Sequence, residues 1–258
     1  MMDIHFLGTG AADWAATPPR PDYGPGEWRG FTSTLLAGCV LVDCGPNAPA
    51  AVARLGVDPA TITDLLITHG HGDHYQPESI AALAAHGGLR VHADPVLLPE
   101  LNAIPGVQAS GLTIGEPVQA GPLHVLPVAA NHRLDRPGER AYHFLVSQGE
   151  TTLFYALDGA WLTPETWGAI RRRTFAGVIW DATSGDTEGD WRICEHNSIA
   201  MVRLLRATFV RQGLLAAAAP VWLTHLARTL CSPHAELAPA VAAEGLTLAY
   251  DGLRTVCS

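Results

Sequence analysis

The chain has 258 residues, 48% of them hydrophobic, with a formal net charge of −9. That length and apolar content suit a single domain over 1–258 with a sizeable core, and the acidic balance opposes non-specific binding to nucleic acid or an anionic membrane surface. Apolar runs are broken well short of a membrane span, and the start MMDIHFLGTG offers no basic leader and apolar segment, so a soluble, cytoplasmic protein is expected.

Strand-forming runs fall at 4–8, 33–38, 39–45, 64–69, 89–93, 123–128, 142–147, 151–158, 177–183, 220–225 and 246–252. Between them, Ala- and Leu-rich stretches at 47–55, 77–86, 95–102, 164–173, 197–212 and 233–244 have helical spacing. Strand-rich segments in both halves, each followed by helices, predict two sheets packed face to face with helices outside. The segment DWAATPPRPDYGPGEWRG (13–30) is too rich in Pro and Gly for regular structure, and is expected to be a surface loop near the site anchored by its aromatics. Five scattered cysteines (Cys39, Cys44, Cys194, Cys231, Cys257) never form CxxC, which argues against a thiolate zinc site and a disulfide framework. They are expected to be small buried hydrophobes, with Cys44 near enough to the site for oxidants to reach.

The chemistry concentrates in LITHGHGDHYQ. His69, His71, Asp73 and His74 spell HxHxDH directly after a predicted strand. Alternating ligands leaving a strand end point to one side, and Gly70 and Gly72 are expected to permit turns that β-carbons would hinder. Imidazoles and a carboxylate, with no thiolate, suit zinc, manganese or iron. Further strand ends offer His132 in VLPVAANH, Asp158 in FYALDGA and His225 in VWLTHLA. Asp43 in LVDCG either begins a turn or orients the ligand loop by hydrogen bonding.

These residues, in this order, resemble the metallo-β-lactamase superfamily, whose signature is HxHxDH. The resemblance covers almost the whole chain and implies a four-layer αββα sandwich. It also implies two divalent ions, one held by His69, His71 and His132, the other by Asp73, His74 and His225, with Asp158 bridging. FLGTG, PVAANH, FYALDGAWLTPET, VIWDATS, EHNS, LTHLA and YDGL extend the likeness to PhnP-type phosphoribosyl 1,2-cyclic phosphate phosphodiesterases, in the branch shared with tRNase Z and PqqB. That likeness implies a small, compact phosphodiester substrate cleaved by a metal-activated hydroxide. It further implies that Asp73 stands beside the metals and that His196 of EHNS serves as the general acid or substrate-orienting group.

Lactone or carboxylic-ester hydrolysis and tRNA processing are the superfamily's alternatives. A degenerate, binding-only member is counted against by the complete ligand set. The extra cysteine-bound zinc of the PhnP type is not implied here, since 13–30 lacks cysteine and Arg228 stands where its histidine would fall. Arg133, Arg136 and Arg140 either recognise a second phosphate or form a charge-balanced turn with Asp135 and Glu139. The run Arg171, Arg172, Arg173 ends a predicted helix, where cations complement the dipole. A homodimer is an expectation of the resemblance alone.

Overall fold

The computed structural model describes every residue except 19 and 21, both within the 13–30 loop. Fourteen strands among the described residues form two seven-stranded sheets. The first contains β1 (Met2–Gly8), β2 (Ser33–Leu36), β3 (Val40–Val42), β4 (Asp64–Leu66), β5 (Leu89–Ala93), β6 (Val107–Gly111) and β14 (Arg254–Cys257), in spatial order β14-β1-β2-β3-β4-β5-β6. The second contains β7 (Val118–Ala120), β8 (Leu123–Ala129), β9 (Tyr142–Gln148), β10 (Thr151–Ala156), β11 (Gly177–Asp181), β12 (Val221–Thr224) and β13 (Thr247–Leu248), in order β13-β12-β11-β10-β9-β8-β7.

Period-two side-chain alternation builds the layers. Met2, Ile4 and Phe6 of β1 pack with Tyr142, Phe144, Tyr155 and Trp222 between the sheets, whereas Leu7, Leu35 and Leu41 point outward. There they meet Ala48 and Val52 of α1 (Ala48–Arg54), Ile80 and Leu83 of α2 (Pro77–Ala84) and Leu101 of α3 (Leu98–Leu101). The outer face of the second sheet is covered by α4 (Pro164–Ile170), α5 (Ile199–Arg211) and α6 (His234–Ala242) through Ile170, Phe209 and Val241. Each fully buried Phe or Leu here contributes about 1.5–3 kcal/mol. The result is the four-layer metallo-β-lactamase fold, with helices on both outer faces. No helix of the described residues is long and apolar enough to cross a membrane.

Strand direction decides where the site lies. β3, β4 and β5 run parallel, as do β10, β11, β12 and β13, and β8 shares the direction of β10 because both are antiparallel to β9. The turns after β3, β4, β8, β10, β11 and β12 therefore gather along one edge, at the carboxyl ends of the strands.

Three sequence expectations need correction. The helix expected at 95–102 is a 3-10 turn, Pro95–Leu97, followed by the single-turn α3, because Pro95 and Pro99 each start a turn and neither can continue one. Gly72 has open space around its Cα and no positive φ, so a β-carbon would be accommodated there; a β-carbon at Gly70 would meet the Glu139 carboxylate at 2.6 Å and the Leu97 side chain at 3.1 Å, as expected of that glycine. Cys44 is fully buried, and burial beside Asp43 pushes its thiol well above the ordinary range, which closes it to oxidants.

The described part of the 13–30 loop is tied down as its aromatics suggest. Trp14 Nε1 donates to the Leu226 carbonyl at 2.7 Å, Trp28 Nε1 to Ala15 at 3.0 Å, and Tyr23 meets Trp28 edge-on at 5.3 Å.

Candidate metal centre

The loop after β4 brings His69, His71, Asp73 and His74 to the shared edge, where His132 follows β8, Asp158 follows β10 and His225 follows β12. Two groups form. His69 Nε2 and His132 Nε2 each lie 3.1 Å from His71 Nδ1; His74 Nε2 lies 3.1 Å from His225 Nε2 and 3.2 Å from Asp73 Oδ2. Asp158 stands between them. Its Oδ2 is 3.8 Å from both His69 and His132 and 3.4 Å from His74, while its Oδ1 is 3.3 Å from His225.

This arrangement fits cations better than internal hydrogen bonding. One lone pair on His71 Nδ1 cannot serve two neighbouring nitrogens at once. Asp158 Oδ1 is buried without a hydrogen-bond partner, a cost of about 1–3 kcal/mol that a positive ion removes. The histidine and aspartate groups are thus consistent with a binuclear site, and every donor is nitrogen or oxygen.

The backs of the rings are held so that the correct nitrogens face inward. His74 Nδ1 donates to Asp43 Oδ2 at 2.8 Å, and His225 Nδ1 donates to Thr183 Oγ1 at 2.7 Å. His69 Nδ1 lies 2.9 Å from Thr68 Oγ1, whose hydroxyl is 2.8 Å from Asp43 Oδ2. Asp43 also accepts the Thr68 backbone N–H at 2.8 Å, so one buried carboxylate orients two candidate ligands. Asp43, Asp158 and His225 all adopt positive φ (62°, 36° and 58°), strain that the surrounding contacts maintain at the strand ends. Gly45 is required beside them: a β-carbon there would stand 2.0 Å from the Asp73 carbonyl oxygen.

Electrostatics follow the same geometry. Burial favours neutral forms throughout, yet the histidines around them hold Asp73 and Asp158 well below the usual carboxylate range. His69 and His132 are lowered by burial and by neighbouring histidines, keeping these imidazoles neutral and their lone pairs available.

His196 lies at the rim of the cluster. Its ring centroid is 5.0 Å from that of His132 and 5.4 Å from that of His225. Its Nδ1 donates to Asp181 Oδ2 at 2.7 Å. Burial opposes the charged form, as does the neighbouring His74, but the charge and hydrogen bond of Asp181, with Asp158 beyond, lift His196 to about 9. A cleft of about 220 Å³ is lined by His71, Asp73, His132, Asp158, His196 and His225.

The sequence alone does not single out Asp181 and Thr183. Asp181, fully buried at the end of β11, accepts from Thr183 N at 2.7 Å, Thr183 Oγ1 at 2.6 Å, His196 Nδ1 and the Gly159 N–H at 3.2 Å. One carboxylate thereby orients His196 directly and His225 through Thr183. Its signal was an acidic residue closing the apolar run GVIWD, the same pattern that marked Asp158.

The arginine segment behaves as a clamped turn. Arg136 pairs with Glu100 at 3.1 Å and lies over the Tyr75 ring, Arg140 N donates to Asp94, and Glu139 Oε1 accepts the Gly70 N–H at 2.5 Å. Arg133 and Arg140 are exposed. Arg173 Nε donates to the Ala169 carbonyl near the end of α4, as the dipole favours.

The family model described as "Metallo-beta-lactamase superfamily" matches residues 28–155. Zinc phosphodiesterase ELAC protein 1 of Homo sapiens is 31% identical over 100 residues, 37% of this chain and 24% of that protein. The match therefore spans about a quarter of that relative's length. The metallo-beta-lactamase fold protein YhfI from Bacillus subtilis superposes with TM-score 0.74 at 16% identity, covering 99% of this chain and 100% of that one. A diphosphatase from the PhnP family gives TM-score 0.73 at 18% identity, covering 100% and 98%. At such identities the superpositions speak for the fold. The chain thus has the metallo-beta-lactamase fold, matches that superfamily's model over residues 28–155, and gathers its histidine and aspartate clusters at one sheet edge.

Proposed function

We propose that this metal-dependent hydrolase cleaves a small, compact phosphodiester, with cyclic phosphates as the first class to test. The observation that carries the reading is the Asp181–His196 pair beside the ligand cluster, with His196 Nδ1 fixed at 2.7 Å and the ring lining the cleft. His69, His71 and His132 would hold one divalent ion, Asp73, His74 and His225 the other, with Asp158 between. Manganese, zinc and iron all accept this donor set. When bound, the ions supply Lewis acidity and activation of water at neutral pH.

The chain's own groups complete the reaction. Asp73, on the cleft wall, orients the attacking water. An oxygen–phosphorus bond forms as the bond from phosphorus to the ester oxygen breaks. His196 gives its Nε2 proton to that departing oxygen, the proton lost by the attacking water leaves to solvent, from which His196 is recharged, and a cyclic phosphodiester becomes a phosphomonoester with a free hydroxyl. Asp181 keeps Nε2 toward the cleft by holding Nδ1, and its charge compensates the imidazolium before transfer.

In the metal-loaded protein, His196→Ala should lower turnover of an alkyl phosphodiester about 10²–10⁴-fold. Metal content should stay unchanged. Turnover equal to wild type would remove His196 from the mechanism. A nuclease reading is favoured by the name of another relative, ribonuclease Z of Pyrobaculum calidifontis, 35% identical over 74 residues, whereas the net charge of −9 opposes it. Cleavage of precursor tRNA at rates above those on cyclic phosphates would make it the leading one.

A further inference from the structure

Among the described residues seven large hydrophobic side chains are markedly exposed, and three of them, Trp161, Trp191 and Ile193, sit on two adjacent segments. Asn131 joins the segments, its amide donating to the Ala160 carbonyl at 2.8 Å and to that of Cys194 at 3.5 Å. Asn197, next to His196, accepts the Trp161 N–H at 3.0 Å and donates to Gly159 O at 2.8 Å. Trp161 is held at φ 57°, a conformation that costs a bulky residue about 1–3 kcal/mol.

Trp191 lines the metal cleft directly, on the same 3-10 turn, Trp191–Cys194, that leads into His196, and is 69% exposed. The neighbouring Arg192 also lines the cleft, but its guanidinium is forked onto Asp190 at 2.8 and 3.0 Å. Its charge is therefore already engaged. Arg192 Cζ lies over one face of the Trp191 ring, 5.9 Å from its centroid, so what this wall offers a substrate is the opposite indole face, which stacks on flat π-systems and has little to give an aliphatic sugar.

We propose that Trp191 is a specificity-determining platform, and that the substrate is a compact phosphodiester carrying a flat aromatic ring. The inference rests on the phosphodiester reading and narrows it. The phosphoryl group occupies the cleft between the ligand cluster and His196, while the ring lies outside it against Trp191, with Trp161 and Ile193 extending the apolar rim. This division suits the size of the cleft, about 220 Å³, which accepts a phosphoryl group with a small ring and leaves a larger appendage at the mouth.

The test uses a matched pair, adenosine 2′,3′-cyclic phosphate and methyl riboside 2,3-cyclic phosphate, with zinc- or manganese-reconstituted wild type, Trp191→Ala and Trp191→Phe. Wild type should favour the adenosine ester at least about tenfold in kcat/KM, chiefly through KM. In Trp191→Ala the ratio should fall close to one, and Trp191→Phe should keep most of it. Calorimetric binding of AMP and ribose 5-phosphate should show the same pattern without turnover. Hydrolysis of both esters with no base preference, or a preference unaltered in Trp191→Ala, overturns the platform and leaves the phosphodiester reading standing. Failure to hydrolyse either ester, with efficient lactone hydrolysis, overturns both.

Discussion

Exchanging Asp181 for Asn is the most informative single perturbation, because the shape is retained while two of four contacts change sign. Asn Oδ1 can still accept from Thr183, whose N–H and hydroxyl lie 2.7 and 2.6 Å from Asp181 Oδ1. The amide NH₂ then faces the Gly159 N–H and His196 Nδ1, formerly 3.2 and 2.7 Å from Oδ2. Two buried donors are left opposed or must rearrange, at about 1–3 kcal/mol each, giving a stability loss of about 2–6 kcal/mol. The catalytic consequence is separate. His196 can escape the clash by accepting at Nδ1, which leaves a neutral ring with its proton on Nε2, a far weaker acid than the imidazolium.

The proton-donor role predicts a loss that depends on the leaving group. On an alkyl phosphodiester Asp181→Asn should lose about 10²–10⁴-fold in kcat, the range of general acid catalysis. On bis(p-nitrophenyl) phosphate, whose phenolate departs without a proton, the loss should be at least tenfold smaller. Metal content, measured by elemental analysis, should remain at the wild-type value because His225 keeps Thr183 as its partner. Equal losses on both esters with metal retained would refute the acid role. Equal losses with metal lost would instead assign Asp181 to holding His225.

Other regions give independent predictions. Gly45→Ala should weaken metal retention and activity together, because its β-carbon would meet the Asp73 carbonyl oxygen at 2.0 Å; an alanine variant with normal metal content would contradict the packing described. Asp251 is almost fully buried, and burial pushes its carboxyl up to about 6 despite hydrogen bonds from Gly30 N–H and Thr9 Oγ1. With an unfolded value of about 3.9, the folded state binds the extra proton between those limits. Its contribution to stability is therefore fully present below pH about 4, is lost as pH rises through about 6, and is flat above. The span is of order 3 kcal/mol. Denaturant midpoints of wild type and Asp251→Asn should diverge across that window, and parallel curves would show that Asp251 does not titrate there.

Much of this was legible in the sequence because the site is built from strand ends. A period-two apolar run that stops at His or Asp marks both the element and the ligand, so His132, Asp158 and His225 could be found far from HxHxDH. Strands at sheet edges were harder. β6 (VQASG) is largely exposed, β7 has three residues, and β14 (RTVC) buries only Cys257 fully, so none has the apolar signal on which alternation depends. The support behind the ligands was also hidden. Thr183 and Glu139 are ordinary residues in sequence, and only folding brings Thr183 Oγ1 to His225 and the Glu139 carboxylate to Gly70 N–H. Trp191 gave no signal either: an exposed tryptophan is informative only once its place on the cleft wall is known.

Metal-dependent cleavage of a phosphodiester is tested by comparing bis(p-nitrophenyl) phosphate with a small lactone. Protein stripped by chelation and then reconstituted with manganese or zinc is assayed on both. Activity should be negligible after stripping, phosphodiester hydrolysis should return with about two ions per chain, and the lactone rate should stay weak. Restoration of lactone hydrolysis alone would contradict phosphodiester cleavage and make an ester hydrolase of the same fold the better description.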